Sequence, residues 1–276
     1  MNQYKPAKVL TIAGSDSSGG AGIQADIKTI QALGCYAMSA ITALTVQNTV
    51  EVRSVFPIPA DIVKAQLETV LADIRPDCIK IGMLVDVEII QMVANFLSRN
   101  SDIPVILDPV MIATSGDRLL PQQAVDCLIH ELFPKVDLIT PNTDEASFLT
   151  GIPVTNEQEM LEAGRILMSQ SPKAILLKGG HLESQTLTSY LFSKEGIESF
   201  ASQRIDSKNV HGSGCTLSSA IASYIALGEN LSSAVKLAAD YVHHAILGSR
   251  NLLIGHGNGP LNHTFNPQKL KKYELE

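Results

Sequence analysis

Apolar residues recur along the chain with two periods. Short β-prone runs at 8–13, 36–46, 52–56, 79–81, 105–107, 136–139 and 174–177 read as strands. Between them, apolar residues fall three and four apart, the spacing of one helix face. Ile23, Ile27, Ile30 and Leu33 form the first such face, closed by Gly34 as a C-cap. Further helices are expected at 60–73, 86–98, 122–131 and 157–168, with a turn at Gly116-Asp117. Runs at 186–192 and 197–202 flank Lys194-Glu195-Gly196 and predict a hairpin. Leu217, Ala220, Ile221, Tyr224 and Gly228 then mark a helix, and another is expected at 232–247. Strands alternating with helices predict an α/β fold, its mostly parallel sheet wrapped on both faces.

Ligands of such sheets bind beyond the carboxyl ends of the strands, and the chemistry-bearing residues gather there. The first strand runs into Gly14-Ser15-Asp16-Ser17-Ser18-Gly19-Gly20-Ala21-Gly22. This loop has neither the Gly-Lys-Ser/Thr of a P-loop nor the G-x-G-x-x-G of dinucleotide sites. Asp108, Asn142, Glu145 and Lys178 each lie just past a strand end. The stretch Asn209-Val210-His211-Gly212-Ser213-Gly214-Cys215-Thr216-Leu217 leads into a helix, with Gly212 to Cys215 as its first turn. First-turn amides have no partner inside the helix, and with the helix dipole they attract an anion. Glycine at 212 and 214 lets a phosphate come close. Taken singly, each piece is more often a structural turn; five rim elements with complementary chemistry point to one phosphate site.

Composition narrows the ligand. The 276 residues are 45% hydrophobic and 18% charged, enough for one large α/β domain or two small ones. A formal charge of −7 argues against nucleic acid or an anionic membrane as partner. No apolar stretch is long enough to span a bilayer and no signal peptide is visible, so a cytoplasmic protein is expected. Cys35, Cys78, Cys127 and Cys215 form no C-x-x-C or zinc spacing. The first three read as packing residues; Cys215 sits where a helix N-terminus lowers a thiol pKa.

Phosphoryl transfer needs positioning and charge stabilisation. The 212–215 turn can hold charge on the transferred group, and Lys178 can neutralise a phosphate oxygen. Asn142 and Glu145 can hold magnesium directly or through its waters, with Asp108 as a second carboxylate. The same N-x-x-E spacing also reads as a capping box, and both roles are compatible. Asp26 lies one turn inside its helix, and on its residues alone reads as a solvated acid beside Lys28.

With these pieces in view, the chain resembles the ribokinase-like superfamily, and within it the hydroxymethylpyrimidine and phosphomethylpyrimidine kinases of thiamine biosynthesis. The resemblance runs from about residue 9 to 265. It rests on T-I-A-G-S-D-S-S-G-G-A-G-I-Q-A-D at 11–26, T-A-L-T-V-Q-N-T at 42–49, K-I-G-M-L at 80–84, L-D-P-V-M at 107–111, T-P-N at 140–142, L-K-G-G-H at 177–181 and H-G-S-G-C-T-L-S-S-A at 211–220. It implies a three-layer α/β/α sandwich, one kinase domain over 1–276 and a tendency to form homodimers. The chain ends in a polar tail at about 267–276, within which Lys269 to Glu276 is expected to be disordered. The implied chemistry is ATP- and Mg2+-dependent conversion of an aminopyrimidine alcohol, 4-amino-5-hydroxymethyl-2-methylpyrimidine, to its monophosphate and then its diphosphate.

The resemblance places Gly14, Asp26, Gln47, Met83 and Val110 around the pyrimidine. It places Gly212, Ser213, Gly214 and Cys215 at an anion hole, and Lys178, Asn142 and Glu145 at the ATP phosphates and metal. The Gln47 amide offers a donor and an acceptor together, matching a ring nitrogen beside an exocyclic amine. Many sugar kinases carry an aspartate base where this chain has Cys215. His211 either helps ionise that thiol or belongs to a lid. Two alternatives stand beside this reading: a pyridoxal kinase of the same subfamily and a non-catalytic nucleotide-binding regulator.

Overall fold

The computed structural model describes residues 4–111, 120–170, 172–180, 182 and 184–274. The Gly116-Asp117 turn and His181 lie outside them. The first half runs β1 (Tyr4–Pro6), β2 (Lys8–Ser15), α1 (Gly22–Ala32), β3 (Tyr36–Gln47), β4 (Val52–Pro57), α2 (Ala60–Asp73), β5 (Cys78–Ile81), α3 (Val87–Ser98) and β6 (Val105–Leu107). The second runs α4 (Gln122–Cys127), β7 (Leu138–Ile139), α5 (Thr143–Thr150), α6 (Glu157–Met168), β8 (Ile175–Leu177), β9 (Thr186–Ser193), β10 (Gly196–Gln203), α7 (Ser213–Ala226), α8 (Leu231–Ser249) and β11 (Lys272–Glu274).

Nine strands form one sheet in the order β10-β9-β8-β7-β6-β5-β2-β3-β4. The pairs from β3 through β2, β5, β6 and β7 to β8 are parallel. Antiparallel hairpins close both edges, β3 with β4 and β9 with β10. Successive strand residues face opposite sides, and the core divides accordingly. Leu10, Ile12, Ile79, Ile81, Val105 and Leu107 pack under α2 to α6. Val9, Cys78, Ile106 and Leu176 pack under α1, α7 and α8. This is the three-layer α/β/α arrangement expected from the alternating pattern.

Most expected elements lie within a residue or two of their observed limits. Gly34 takes φ +81°, as a C-capping glycine should. The 122–131 helix loosens after Cys127 into a wider turn over Leu128–Leu132, and Pro134 ends it. The polar tail departs from expectation: Lys272–Glu274 pairs antiparallel with Tyr4–Pro6 as a separate two-stranded ribbon. Backbone bonds from Gln268 N–H to Ala32 and Lys271 N–H to Gly34 lead the chain there. No helix among the described residues is long and apolar enough to cross a membrane.

Candidate active site

Strand order reverses at β2: β3 and β4 continue to one side, and β5 to β10 lie on the other. A crevice beyond the carboxyl ends forms at such a reversal, and both glycine-rich loops meet there. A Cβ on Gly212, whose φ is +81°, would stand 1.9 Å from the Gly20 carbonyl oxygen. One on Gly20 would stand 2.5 Å from His211 Cδ2. Only glycine allows backbones to approach this closely.

Asp16, which sequence reasoning passed over, organises the first loop. Its carboxylate accepts the amides of Ser18 (2.8 Å), Gly20 (3.1 Å) and Ala21 (2.8 Å) and the Ser18 hydroxyl (2.7 Å). His211 Nε2 lies 2.9 Å from Asp16 Oδ2, and Gln47 Nε2 lies 3.4 Å from the same ring nitrogen. Burial alone would raise the Asp16 carboxyl, but the hydrogen bonds from His211, Ser18 and Ala21 hold it well below the usual carboxylate range. An S-D-S-S-G run is the sequence signal for such an Asx turn.

Gly212 is the N-cap of α7 in the left-handed region, and Ser213 is the first helical residue. The Ser213 amide donates to the Val210 carbonyl at 3.1 Å, and the Thr216 amide to that of Gly212 at 2.8 Å. Within the four-residue turn expected from sequence, the Ser213 amide is thus spent on Val210, and the amides left for an anion are those of Gly212, Gly214 and Cys215. A Cβ on Gly214 would lie 3.2 Å from Asp108 Oδ2 and 3.3 Å from Lys178 Nζ.

Lys178 and Asp108 form a nearly buried ion pair at 2.9 Å, and Thr140 Oγ1 donates to the same Asp108 oxygen at 3.0 Å. Lys178 follows β8, and its amide donates to Pro141, which brings it beside Asn142. Asn142 caps α5. Its Oδ1 accepts the Glu145 amide and the Glu145 carboxylate accepts the Asn142 amide, both at 2.8 Å. This is the capping box read from sequence. Burial pushes the Glu145 carboxyl up to about 7; Lys178 opposes the shift and Asp108 adds to it. Among the described residues no three His, Cys, Asp or Glu side chains cluster as a metal site. Two carboxylates that repel one another beside a phosphate-accessible turn nonetheless suit magnesium, which keeps several waters and takes few protein ligands.

Gly14 makes room for Met83: a Cβ there would lie 2.5 Å from Met83 Cε. The Met83 carbonyl accepts from Thr42 Oγ1 at 2.7 Å. Val110 follows Asp108, its amide donating to the Asp108 carbonyl at 2.8 Å. Two expectations need correction. Asp26 is not a solvated helix-face acid. It has no exposed surface, and its carboxylate is occupied by Thr11, Lys80 and Ser219. The Cys215 thiol is not lowered by its helix start. Burial pushes it up to about 11, with Lys80 opposing and Asp26 and Asp108 adding to the rise.

This fold and this phosphate-accessible turn at the sheet's reversal point define the ribokinase-like class of small-molecule kinases. A family model described as phosphomethylpyrimidine kinase matches residues 16–262. The chain is 48% identical over 260 residues to a hydroxymethylpyrimidine/phosphomethylpyrimidine kinase from Escherichia coli (strain K12), covering 94% of this chain and 98% of that one. It is 46% identical over 260 residues to a thiamine biosynthesis bifunctional protein, ThiED, from Geobacter sulfurreducens, of which it covers 53%. Among solved structures, phosphomethylpyrimidine kinase from Clostridium difficile 630 is 43% identical with TM-score 0.77, covering 87% of this chain and 99% of that one. A Staphylococcus aureus pyridoxal kinase in complex with ADP is 32% identical with TM-score 0.87, covering 98% and 100%. The chain belongs to the phosphomethylpyrimidine kinase family.

Proposed function

We propose that the chain is a kinase of thiamine biosynthesis that phosphorylates the aminopyrimidine alcohol twice, using ATP and magnesium. The observation that carries this reading is the convergence of Lys178 and Asp108 on the Gly214 turn, within a chain matched to the family over residues 16–262. The amides of Gly214 and Cys215 hold the charge on the transferred phosphoryl group. Lys178 neutralises phosphate oxygens, exchanging its bond to Asp108 for one to the nucleotide. Asp108, Glu145 and Asn142 are the residues that would hold magnesium, which neutralises phosphate charge when bound. Gly14, Gln47, Met83 and Val110 face the acceptor, with the Gln47 amide reading its aminopyrimidine edge. His211, held by Asp16, closes the side next to Gln47.

The first acceptor is an alcohol that sheds a proton as it attacks. The second is a monophosphate, whose second pKa of about 6 leaves a free anionic oxygen at neutral pH. A thiol held at about 11 is almost wholly protonated at neutral pH, which favours a pocket-shaping role for Cys215 over that of base. The test is single-turnover ADP release on each acceptor separately, with pyridoxal as a third. Lys178→Ala impairs both steps and Cys215→Ala slows both alike. Loss of at least about 10²-fold confined to the alcohol step would make the thiol the base. No ADP release with any of the three acceptors would favour a non-catalytic regulator, and faster turnover of pyridoxal would favour the pyridoxal kinase.

The chain acts as one kinase domain in the cytoplasm. Its formal charge of −7 argues against a nucleic-acid partner. A homodimer is supported by exposed Leu44, Val46 and Phe56 at the β3–β4 edge. Sedimentation of Phe56→Glu checks it, and a monomeric wild type would overturn it.

A further inference from the structure

We propose that the fully buried Lys80–Asp26 pair is a positioning device for phosphoryl transfer, holding α7 so that its first turn faces the first glycine loop. The proposal deepens the kinase reading and rests on it. Lys80 stands on β5, and its register partner on β2 is Thr11. Both project to the side of the sheet covered by α1 and α7. Asp26 reaches in from α1 and Ser219 from α7. Asp26 Oδ2 accepts from Thr11 Oγ1 at 2.6 Å and from Lys80 Nζ at 2.9 Å, while Oδ1 accepts from Ser219 Oγ at 2.7 Å. All four residues have 0% exposure. One carboxylate thus ties together two neighbouring strands and the two helices that follow the two glycine loops.

Ser219 is four residues beyond Cys215, so the two side chains share one face of α7. Fixing Ser219 fixes the rotation of the helix about its axis, and with it the direction of the Gly214 and Cys215 amides. The other end of the node is fixed as firmly. Asp26 lies one turn beyond Gly22, where a Cβ would meet the Gly14 carbonyl oxygen at 2.3 Å. Gly82 leaves space for the ammonium: a Cβ there would be 2.7 Å from Lys80 Nζ.

Stability is a poor reason for such a pair. Two ions taken out of water are often no better than apolar side chains of the same volume. What apolar residues would not supply is a three-donor carboxylate with directional bonds to α7, or a fixed positive charge beneath the reacting end. Burial would pull the Lys80 ammonium down. Asp26 first, and Asp108 with it, more than offset this and hold it above its ordinary value, so the charge persists.

The test compares Lys80→Met, Asp26→Asn, their double variant and Ser219→Ala. The single ionic variants leave a lone buried partner and are expected to melt early. In the double variant the melting temperature recovers, because the Asn carbonyl still accepts from Thr11 or Ser219. Its kcat stays down by about 30-fold or more while KM for ATP and for the pyrimidine moves by less than about threefold. Ser219→Ala keeps the ion pair and frees α7, and is expected to lower kcat about tenfold at nearly unchanged KM. A separate readout is iodoacetamide alkylation of Cys215, followed on its own peptide. Lys80→Met shifts the pH profile of that rate upward, because Lys80 is the charge favouring the thiolate. Wild-type kcat in the double variant and in Ser219→Ala, or an unmoved alkylation profile in Lys80→Met, would overturn the proposal. Absence of wild-type turnover on the pyrimidine would instead sink the kinase reading, leaving the alkylation profile to decide this one.

Discussion

The Gly214 position separates stability from catalysis with one substitution. It lies in the first turn of α7, and its φ is not among the positive ones. Alanine in a helix is favoured over glycine by about 1 kcal/mol, and valine costs no more than glycine there. Helix energetics alone therefore predict an unchanged or slightly raised melting temperature. The surroundings predict something else for activity. The new Cβ would sit 3.2 Å from Asp108 Oδ2 and 3.3 Å from Lys178 Nζ, tighter than ordinary contact. Alanine asks the ion pair to give way by a few tenths of an ångström. Valine adds two methyl groups about 1.5 Å further out, so the pair must shift by about 1 Å or the methyls must cover the amides. A misplacement of about 1 Å costs roughly 10²-fold in rate, or about 2.7 kcal/mol in the barrier. Gly214→Val should therefore lose about 10²-fold in single-turnover ADP release and Gly214→Ala less, with both melting near wild type. Wild-type turnover in Gly214→Val would refute the placement of the transferred phosphoryl group at this turn. A large drop in melting temperature confined to valine would leave alanine as the deciding variant.

Three further predictions follow from the same geometry. Gln47→Leu should raise the pyrimidine KM by an amount equivalent to roughly 1–3 kcal/mol and leave the KM for ATP alone; an unmoved pyrimidine KM removes Gln47 from the acceptor site. In the free enzyme, alkylation of Cys215 should still be climbing at pH 9 to 10, because its thiol keeps its proton up to about 11; a plateau by pH 8 would contradict this. His263 is pushed down to about 4 by burial, with Lys28 adding to the shift, and its Nε2 lies 3.0 Å from Thr216 Oγ1. The unfolded chain then binds the extra proton first, so this contribution of roughly 3 kcal/mol is present above pH 6.5 and lost as pH falls towards 4. His263→Gln should flatten the acid loss of stability measured by denaturant midpoint, and an identical loss in both proteins counts against it.

The parts of the fold that are local in the chain were legible in the sequence. Asn142 and Glu145, three residues apart, announced the capping box that the structure shows. The Lys194-Glu195-Gly196 hairpin and the Gly34 cap likewise depend on neighbours in sequence. What escaped were partnerships across long separations. Asp26 beside Lys28 looks solvated until Lys80, 54 residues away, is brought to it. A lysine between Ile79 and Ile81 in a buried strand was the available signal that a countercharge must exist. The thiol shift of Cys215 went the wrong way for a related reason. The helix start is local, but the burial of the sulfur and the Asp26 and Asp108 charges that add to the rise come from elsewhere in the chain. The β1–β11 ribbon had no signal, since neither three-residue piece has an apolar face to bury.

That ribbon also decides how the molecule would respond to force. Tyr4 pairs with Glu274, Lys5 with Tyr273 and Pro6 with Lys272, so the outermost residues of the two strands lie at one end of the ribbon. Tension applied through Tyr4 and Glu274 peels these pairs one after another, each rung carrying the whole pull alone. Only after the last rung opens does tension reach β2, which is hydrogen-bonded to β3 on one side and β5 on the other. Drawing β2 out along its own axis strains both ladders simultaneously. A pulling experiment should therefore record a small early extension at low force, then one large rupture that carries away the strand leading into the first glycine loop.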